Sequence, residues 1–251
     1  MITMVEFTSY SNRGNREVNE DSWDVTTHQD SYCFVVADGL GGHGGGDVAS
    51  KCAVNAVCEL FAETGFTNDF FQRAFENAQR RIIDAQMYAK TISQMKTTVV
   101  ILVITPRFAC WAHIGDSRLY HWKNKKLKEQ TLDHSVPQML ALSGEIQEKD
   151  IRYHPDRNRL LRVMGVRGET PRYECGTSVS NYGEHTYLLC TDGYWELLDE
   201  QEMTDKLRAN ATIEEWLLDM NSDICQNGRN TDMDNYTAIA VHVHNKHWWE
   251  K

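Results

Sequence analysis

Short segments in which apolar residues run together or alternate with polar ones recur along the chain and predict β-strands. The first two, Ser22–His28 and Tyr32–Asp38, flank the polar stretch HQDS and predict a hairpin. From Thr97 the runs TTVVILVIT, FACWAHI and SRLYHW are separated by PR and GD turns, a pattern typical of an antiparallel meander. Two more strands are predicted at Thr186–Asp192 and in the run NYTAIAVHVH near the C-terminus.

Between these strands the apolar positions change to the spacing of an α-helix. One helix follows Asp47, which we expect as its N-cap, and ends at Gly65. A second carries an apolar face from Phe71 to Ala85, so the two segments predict an antiparallel helix pair. Further helices are predicted in the run QMLALSG and at about residues 213–225.

The order of these segments predicts an α+β fold in a single domain over residues 1–251. Two strand-rich halves each carry a helical segment, which favours a four-layer α-β-β-α sandwich: two antiparallel sheets flanked by antiparallel helix pairs. Residues 133–170 lose the regular pattern and become polar and rich in arginine. We therefore expect a small, exposed inserted lobe there, called the flap lobe below.

Composition then narrows the class of protein. The formal net charge of −10 argues against a nucleic-acid binder and against an anionic membrane surface, and it favours a cationic partner. No apolar run approaches the roughly 18 residues of a membrane span, and the N-terminus lacks the profile of a signal peptide. We expect a cytoplasmic protein. Its seven scattered cysteines contain no CxxC pair and favour reduced thiols over a disulfide framework.

A glycine cluster after the second strand allows two interpretations. Residues 39–44 match GxGxxG between a predicted strand and a predicted helix, where a dinucleotide-binding turn would lie. The supporting acid is misplaced, however, because Glu59 falls inside the predicted helix. Asp38, directly before the first glycine, would also repel a pyrophosphate. The sequence therefore disfavours a nucleotide-binding oxidoreductase.

Acidic residues stand at the ends of several predicted strands. Each one alone is typical of a turn, because Asp, Asn and Gly are favoured there for backbone reasons. Carboxylates on adjacent strand ends converge, however, and like charges brought together require a cation. Ligation by oxygen alone suits Mg²⁺ or Mn²⁺. The acids concerned are Glu20, Asp21, Asp38, Asp116, Asp192 and Asp234.

With these residues in place, the chain resembles the metal-dependent protein phosphatase family (PPM, type 2C) in its compact bacterial single-domain form. The resemblance implies a β-sandwich flanked by helix pairs, a two-metal centre and hydrolysis of phosphoserine and phosphothreonine in proteins. It extends from about Ser11 to Val241. The matching runs, in order, are SNRGNREVNEDSW, VVADGLGGHGGGDVAS, TTVVILVI, HIGDSRLY, LDHSVPQMLALSGEI, HPDRNRLLRVMG, LLCTDGYWELL and DNYTAIAV.

The resemblance also implies a set of metal ligands. It makes Asp38 the carboxylate that bridges two Mn²⁺ or Mg²⁺ ions and the carbonyl of Gly39 a ligand of one of them. Asp192 and Asp234 would complete the second ion. Asp116, together with Asp192, resembles a third, weaker metal site, and Glu196 stands where some relatives supply a further acid.

Catalytic roles carry over in the same way. Glu20 resembles the acid that holds metal-bound water, and Asp21 the neighbour that orients this network. Arg16 matches the arginine that grips the substrate phosphate. Where eukaryotic relatives have a histidine after the Asp-Gly pair, this chain has Leu40, and His43 lies three residues farther on. We therefore expect the leaving group to take its proton from water.

These features predict a phosphatase that acts on phosphoserine and phosphothreonine proteins through a metal-bridging hydroxide. Its substrates are expected to be targets of a cognate Ser/Thr kinase, with no nucleic-acid or membrane partner, and the protein is expected to be a monomer. The alternative is a pseudophosphatase, a phosphopeptide-binding or regulatory module on the same fold. The flap-lobe arginines Arg152, Arg157, Arg159 and Arg162 either form a solvated face or steer phosphopeptides.

Overall fold

Two antiparallel β-sheets packed face to face form the middle of the protein. The computed structural model describes residues 2–41, 45–88 and 95–246. The strands are β1 (Ile2–Asn12), β2 (Ser22–His28), β3 (Ser31–Ala37), β4 (Gly39–Leu40), β5 (Lys96–Thr97), β6 (Val99–Ile104), β7 (Phe108–Ile114), β8 (Arg118–Lys123), β9 (Lys126–Gln130), β10 (Glu174–Cys175), β11 (Val179–Ser180), β12 (His185–Cys190) and β13 (Tyr236–Lys246).

Helices cover the outer face of each sheet. A short 3₁₀ helix, Glu148–Tyr153, lies in the flap lobe. The α-helices are α1 (Gly46–Thr64), α2 (Phe70–Tyr88), α3 (Val136–Ser143), α4 (Asp192–Trp195), α5 (Glu200–Ala209) and α6 (Ile213–Asn227).

The sheet topology is antiparallel throughout the described pairings. One sheet has the order β1-β13-β12-β8-β9, and the other has the order β10-β7-β6-β3-β2 with β11 also paired to β7. In particular, β3 pairs antiparallel with β6, the strand that follows the two helices α1 and α2. A dinucleotide-binding βαβ unit requires parallel strands. The nucleotide-binding interpretation of the glycine cluster is therefore excluded.

Because successive side chains of a strand point to opposite faces of its sheet, the two sheets together form three apolar layers. In β3, Cys33, Val35 and Ala37 pack against α1 and α2, whereas Phe34 and Val36 point into the space between the sheets. This is the period of two that a pleated strand imposes on its side chains. Because both faces of β3 are covered, every residue from Cys33 to Ala37 is buried. The result is a sandwich with one apolar layer between the sheets and one under each helix pair.

The predicted helix pairs are confirmed. Helices α1 and α2 pack on the β2-β3-β6-β7 sheet, and α5 and α6 pack on the other. The predicted N-cap Asp47 is wrong, because α1 begins at Gly46 and Gly45 caps it. Gly45 has φ 141°, a value that favours glycine, so the chain enters the helix earlier than the Asp47 pattern predicts. Asp47 instead lies in the first helical turn.

Among the longer strands and α-helices, β1, β9 and α5 lie outside the sequence predictions. Strand β1 pairs with β13 along its whole length, from Ile2 opposite Lys246 to Asn12 opposite Tyr236. Its polar run TSYSN carries a weak strand signal, so the long pairing partner decides its conformation.

Among the described helices, none combines the length and the apolar character that crossing a membrane requires.

Neighbouring leucines in α6 test the packing of this layer. Leu217 is 2% exposed and Leu218 is 65% exposed. We expect Leu217→Ala to lower the free energy of unfolding by about 2–5 kcal/mol, because it leaves a cavity under the helix pair. The matched Leu218→Ala change should stay within about 0.5 kcal/mol. Urea unfolding of both variants checks this, and equal losses would contradict the described orientation of α6.

Candidate active site

An acidic cleft opens at the edge where strands of both sheets end. It encloses about 890 Å³, and its floor and walls bring together residues that lie far apart in sequence. The flap lobe contributes Asn158 and Leu160 to its rim. Seven of the eight predicted site residues line this cleft: Arg16, Glu20, Asp38, Gly39, Asp116, Asp192 and Asp234. The eighth, Asp21, lies buried beside them.

Asp38 is fixed by its backbone as β3 ends. Its carbonyl accepts hydrogen bonds from the Thr98 N–H (2.9 Å) and from the Thr97 hydroxyl (2.7 Å). Its own N–H donates to Thr98 Oγ1 at 3.0 Å. The next residue, Gly39, has no room for a side chain, since a Cβ would lie 2.3 Å from the carbonyl oxygen of Gly46. The N-terminus of α1 therefore packs directly on the backbone of Gly39.

Asp192 is the first residue of α4 rather than the end of a strand. The strand prediction Thr186–Asp192 is wrong at this end, because β12 stops at Cys190 and the chain turns at Thr191. The Thr191 hydroxyl donates to Asp21 Oδ2 at 3.0 Å and accepts the Thr237 N–H at 3.0 Å. These bonds hold the turn, and they place Asp21 directly behind Asp192.

Asp116 follows β7 in a tight turn whose backbone is held by an aromatic ring. The indole Nε1 of Trp195 donates to the Asp116 carbonyl at 3.0 Å. Arg118 lies over the same indole, 3.5 Å from its ring centroid, and forms two hydrogen bonds of 2.8 Å to Asp133. Trp195 ends α4, the helix that begins at Asp192, so one buried ring connects the two acidic turns.

Asp234 and Arg16 form an ion pair at the mouth of the cleft. Arg16 donates from Nε and Nη2 to the two carboxylate oxygens of Asp234, both at 3.0 Å. The neighbouring Asn235 accepts the Glu20 N–H at 2.7 Å through its side-chain oxygen. Its amide nitrogen donates to the carbonyls of Arg13 (2.9 Å) and Val18 (3.0 Å). Asn235 thus fixes the loop that carries both Arg16 and Glu20.

Burial and mutual repulsion dominate the electrostatics of the cleft. Burial raises the pKa of Asp116 to about 8 and that of Asp21 to about 7. Burial, with the negative charges of the surrounding carboxylates, raises the pKa of Asp38 and that of Asp192 well above the usual range. Burial, followed by the charge of Asp47, raises the pKa of Glu20. Near neutral pH and without a cation, Asp116 therefore keeps its proton and Asp21 is about half protonated.

The donor set fits a divalent cation. Three buried carboxylate oxygens, Asp21 Oδ1, Asp116 Oδ1 and Asp192 Oδ1, have no hydrogen-bond partner among the described residues. A buried polar atom without a partner is costly, and a carboxylate more so. Several such oxygens around one cleft, whose described lining contains neither histidine nor cysteine, suit Mg²⁺ or Mn²⁺.

Glu196 has a partner of its own. Arg157 of the flap lobe contacts it at 2.8 Å, and this positive charge competes with a metal ion for its oxygens. His43 lies outside the described residues.

The flap lobe is anchored to the body of the protein by a buried ionic network. Arg152 pairs with Glu200 (2.7 Å) and also donates to the carbonyls of Trp195 and Leu198. Its side chain is only 7% exposed, so the expectation that it belongs to a solvated or substrate-steering face is wrong. Arg162 pairs with Glu174 at 2.8 Å. These two arginines connect the lobe to the body.

A second group of possible metal ligands lies beneath the Asp116 turn. His113, His134 and Glu174 bring their ligand atoms within 4.8 Å of one another. The two imidazoles stack in parallel (5°, centroids 4.7 Å apart), so an ion cannot lie in both ring planes. The Gly115 N–H donates a hydrogen bond to His134 Nδ1 at 3.1 Å, so this nitrogen is not free to bind an ion. The Glu174 carboxylate already pairs with Arg162. We therefore interpret this group as a hydrogen-bonded support of the turn.

Two residues that organise the cleft escaped the sequence analysis. Asn235 stood beside the predicted ligand Asp234, but nothing in the sequence indicated that it binds a loop more than 200 positions away. Thr98 begins the run TVVILVI and looked like the start of an ordinary buried strand. For Thr98, the only signal in the sequence was its position, as a polar residue at the start of an apolar strand.

The chain is similar to known proteins in both sequence and fold. The model of one family, described as protein phosphatase 2C, matches residues 8–235. The serine/threonine phosphatase stp of Listeria monocytogenes is 34% identical over 208 residues, which are 80% of this chain and 81% of that protein. The crystal structure of Stp1 from Staphylococcus aureus is 25% identical, covers 95% of this chain and 94% of its own, and superposes with a TM-score of 0.85. The Mycobacterium tuberculosis phosphatase PstP/Ppp is 25% identical, covers 96% and 99%, and superposes at 0.82.

The raised carboxyl pKa values predict how pH acts on the metal-free protein. Folding favours the protonated form of Asp21 and Asp116, whose pKa values rise from 3.8 to about 7 and about 8, so their contribution to stability is lost as pH rises through those values. With a chelator present, we expect Tm to fall by several degrees between about pH 6 and about pH 8.5, at roughly 2–4 °C per kcal/mol. Asp116→Asn should reduce this slope, whereas Asp30→Asn, in the exposed β2–β3 turn, should not. A slope unchanged by Asp116→Asn would contradict the described burial of that carboxyl.

Proposed function

This chain belongs to the protein phosphatase 2C family and is a metal-dependent protein serine/threonine phosphatase, and we propose that its acidic cleft works with two divalent cations, Mn²⁺ or Mg²⁺. One observation carries the proposal. Two buried carboxylate oxygens that have no hydrogen-bond partner among the described residues, on Asp116 and Asp192, belong to residues that line the same cleft as Arg16, and a third, on Asp21, lies beside it. Arg16 already binds a carboxylate through two parallel N–H groups. The carboxylate oxygens attract cations, and the guanidinium of Arg16 attracts the phosphate of the substrate.

Four groups are proposed to hold the two ions. Asp38 would contact both, the Gly39 carbonyl would bind one, and Asp192 and Asp234 would complete the other. Asp116 and Asp192 would share a third, weaker site. The lining of one cleft by all five residues supports this assignment, as does the repulsion that Asp38 and Asp192 feel from the neighbouring carboxylates.

The barrier explains why a metal centre suits this reaction. Phosphate monoesters hydrolyse so slowly in water that an enzyme supplies up to about 10²¹-fold acceleration. General acid–base catalysis contributes only about 10² to 10⁴ of this. Bound divalent ions would supply the charge stabilisation that general acid–base catalysis lacks, because they would acidify a coordinated water and neutralise the phosphoryl oxygens.

The remaining site residues are proposed to act around these ions. Arg16 would present its guanidinium to the phosphate oxygens, where two parallel hydrogen bonds fix orientation as well as charge. Glu20 would accept hydrogen bonds from water in the cleft, and Asp21, buried beside the cleft, would orient this network. The fixed loop geometry supports this role for Glu20, whose backbone is tied to Asn235 and whose carbonyl accepts the Gly39 N–H at 3.2 Å.

A protein nucleophile has no support in this chain. No cysteine is followed by arginine six positions later, the spacing of a thiolate phosphatase loop. Burial raises the pKa of Cys33, Cys58, Cys110 and Cys190, which keeps these thiols protonated and unreactive. Water is therefore the proposed nucleophile.

We also propose that residues 1–251 act as one monomeric domain, with residues 133–170 as its flap lobe. The proposed substrates are phosphoproteins made by a Ser/Thr kinase.

Phosphate release from a phosphothreonine peptide tests the proposed reaction. We expect turnover with Mn²⁺, none after chelation, and a loss on the order of 10²-fold or more in kcat/KM for Asp38→Asn and for Asp192→Asn. The matched control Asp30→Asn removes an exposed carboxylate far from the cleft and should behave like the unmodified protein. Turnover without metal, or full activity of either ligand variant, would contradict the mechanism. A protein that binds the phosphopeptide but releases no phosphate with either ion would establish the pseudophosphatase alternative.

A second experiment separates phosphate binding from metal binding at Arg16. Arg16→Ala is expected to raise KM for the phosphopeptide by roughly tenfold or more, because it removes charge-assisted hydrogen bonds to the phosphate. Its Mn²⁺ affinity, measured by calorimetry, should be kept or slightly increased, since Arg16 competes with cations for Asp234. Arg13→Ala removes the same charge from the same loop and serves as the control. A loss of Mn²⁺ affinity in Arg16→Ala alone would show that Arg16 positions Asp234 instead.

A further inference from the structure

A pair of buried hydroxyls joins the turn of Asp38 to the turn of Asp116. Thr98 Oγ1 and Ser117 Oγ lie 2.6 Å apart, and both residues are fully buried. Ser117 directly follows Asp116, and Thr98 lies opposite Asp38 in a neighbouring segment. Neither hydroxyl lines the cleft itself, so neither contacts substrate.

Towards the Asp38 turn, Thr98 forms hydrogen bonds with both the N–H and the carbonyl of Asp38. The Asp38 N–H donates to Thr98 Oγ1 at 3.0 Å, and the Thr98 N–H donates to the Asp38 carbonyl at 2.9 Å. These reciprocal bonds form a closed ring between the two residues. A shift of Thr98 therefore moves the backbone of Asp38 with it.

On the other side, Thr98 fits against the Asp116 turn with its methyl group as well as its hydroxyl. Gly115 has φ +104°, and a Cβ at this position would lie 2.5 Å from Thr98 Cγ2. The turn thus approaches Thr98 as closely as a glycine allows. Together, the methyl contact and the hydroxyl bond fix the turn in two directions.

Low dielectric makes this link effective. Hydrogen bonds between fully buried groups are stronger than in water, and bonds in a chain polarise one another. The chain here runs from the Asp38 amide through Thr98 to Ser117, and it connects the turn that carries Asp38 to the turn that carries Asp116. The link therefore couples the position of one turn to that of the other.

We propose that Thr98 and Ser117 are positioning residues whose buried hydroxyl pair sets the spacing between the Asp38 and Asp116 turns, and so the affinity of the cleft for divalent cations. This inference rests on the proposed metal-binding role of these acids. It assigns a function to two side chains that touch neither metal nor phosphate.

The test is a set of nearly isosteric variants. Thr98→Val keeps the shape and removes the hydroxyl, Thr98→Ser restores the hydroxyl without the methyl group, and Ser117→Ala removes the partner. The matched control is Thr204→Val on α5, where a buried hydroxyl likewise accepts one N–H, from Trp122 at 2.8 Å, and donates to a carbonyl at 2.7 Å. Mn²⁺ affinity is measured by calorimetry without substrate, and Tm is measured with a chelator.

We expect Thr98→Val and Ser117→Ala each to weaken Mn²⁺ binding by about tenfold or more. Thr98→Ser should recover most of the affinity, and the double variant Thr98→Val/Ser117→Ala should lose little more than either single one, because both remove the same bond. Thr204→Val should lower Tm comparably while leaving Mn²⁺ affinity unchanged. If Thr98→Val does not fold, Ser117→Ala and Thr98→Ser alone decide the outcome.

Unchanged Mn²⁺ affinity in Thr98→Val or Ser117→Ala would overturn the proposal. So would a loss that Thr204→Val reproduces, because it would then reflect general destabilisation. Failure of the proposed function is separately visible, since the unmodified protein would then release no phosphate from a phosphopeptide whatever its variants bind.

Discussion

Burying several carboxylates at one edge of a sandwich is the constraint on which the rest of this structure depends. Each of Asp38, Asp116 and Asp192 loses its hydration and lies in the field of the others. Such an arrangement opposes folding unless protons or cations neutralise it. The turns that carry these acids are accordingly held from outside, by Thr98, by the indole of Trp195 and by the hydroxyl of Thr191.

Burial of apolar side chains in the layered fold offsets the free-energy cost of burying the carboxylates at this edge of the sandwich. Its three apolar layers bury the strands on both faces and leave the polar chemistry to the strand ends. The flap lobe is part of the same solution. Through Arg152 and Glu200 it attaches to the segment after α4, and through His134 it supports the Gly115 backbone beside Asp116. The lobe that borders the cleft is therefore mechanically connected to the acids within it.

The sequence predicted the features that follow from local periodicity. The hairpin before Asp38, the helix pair after it and the three strands from Thr97 onwards carry strong, short-range patterns, and the structure confirms these elements. The predicted meander is wrong at its third strand, because β8 leaves the sheet of β6 and β7 and pairs with β12 and β9 in the other sheet. Acids at successive turns also predicted one cleft, because antiparallel strands bring their ends together. What escaped prediction depends on distant partners. Asn235 and Arg152 look like a turn residue and a surface charge until the fold places a loop beside one and Glu200 beside the other.

Proton release on metal binding tests the account most directly. If repulsion and burial keep the cleft acids protonated in the metal-free protein, Mn²⁺ must displace those protons when it binds. Calorimetric titration at about pH 7 in buffers of different ionisation enthalpy measures their number. We expect protons to be released at this pH and the release to diminish towards about pH 9, where Asp21 and Asp116 are already ionised. Mn²⁺ binding without proton release at about pH 7 would contradict it.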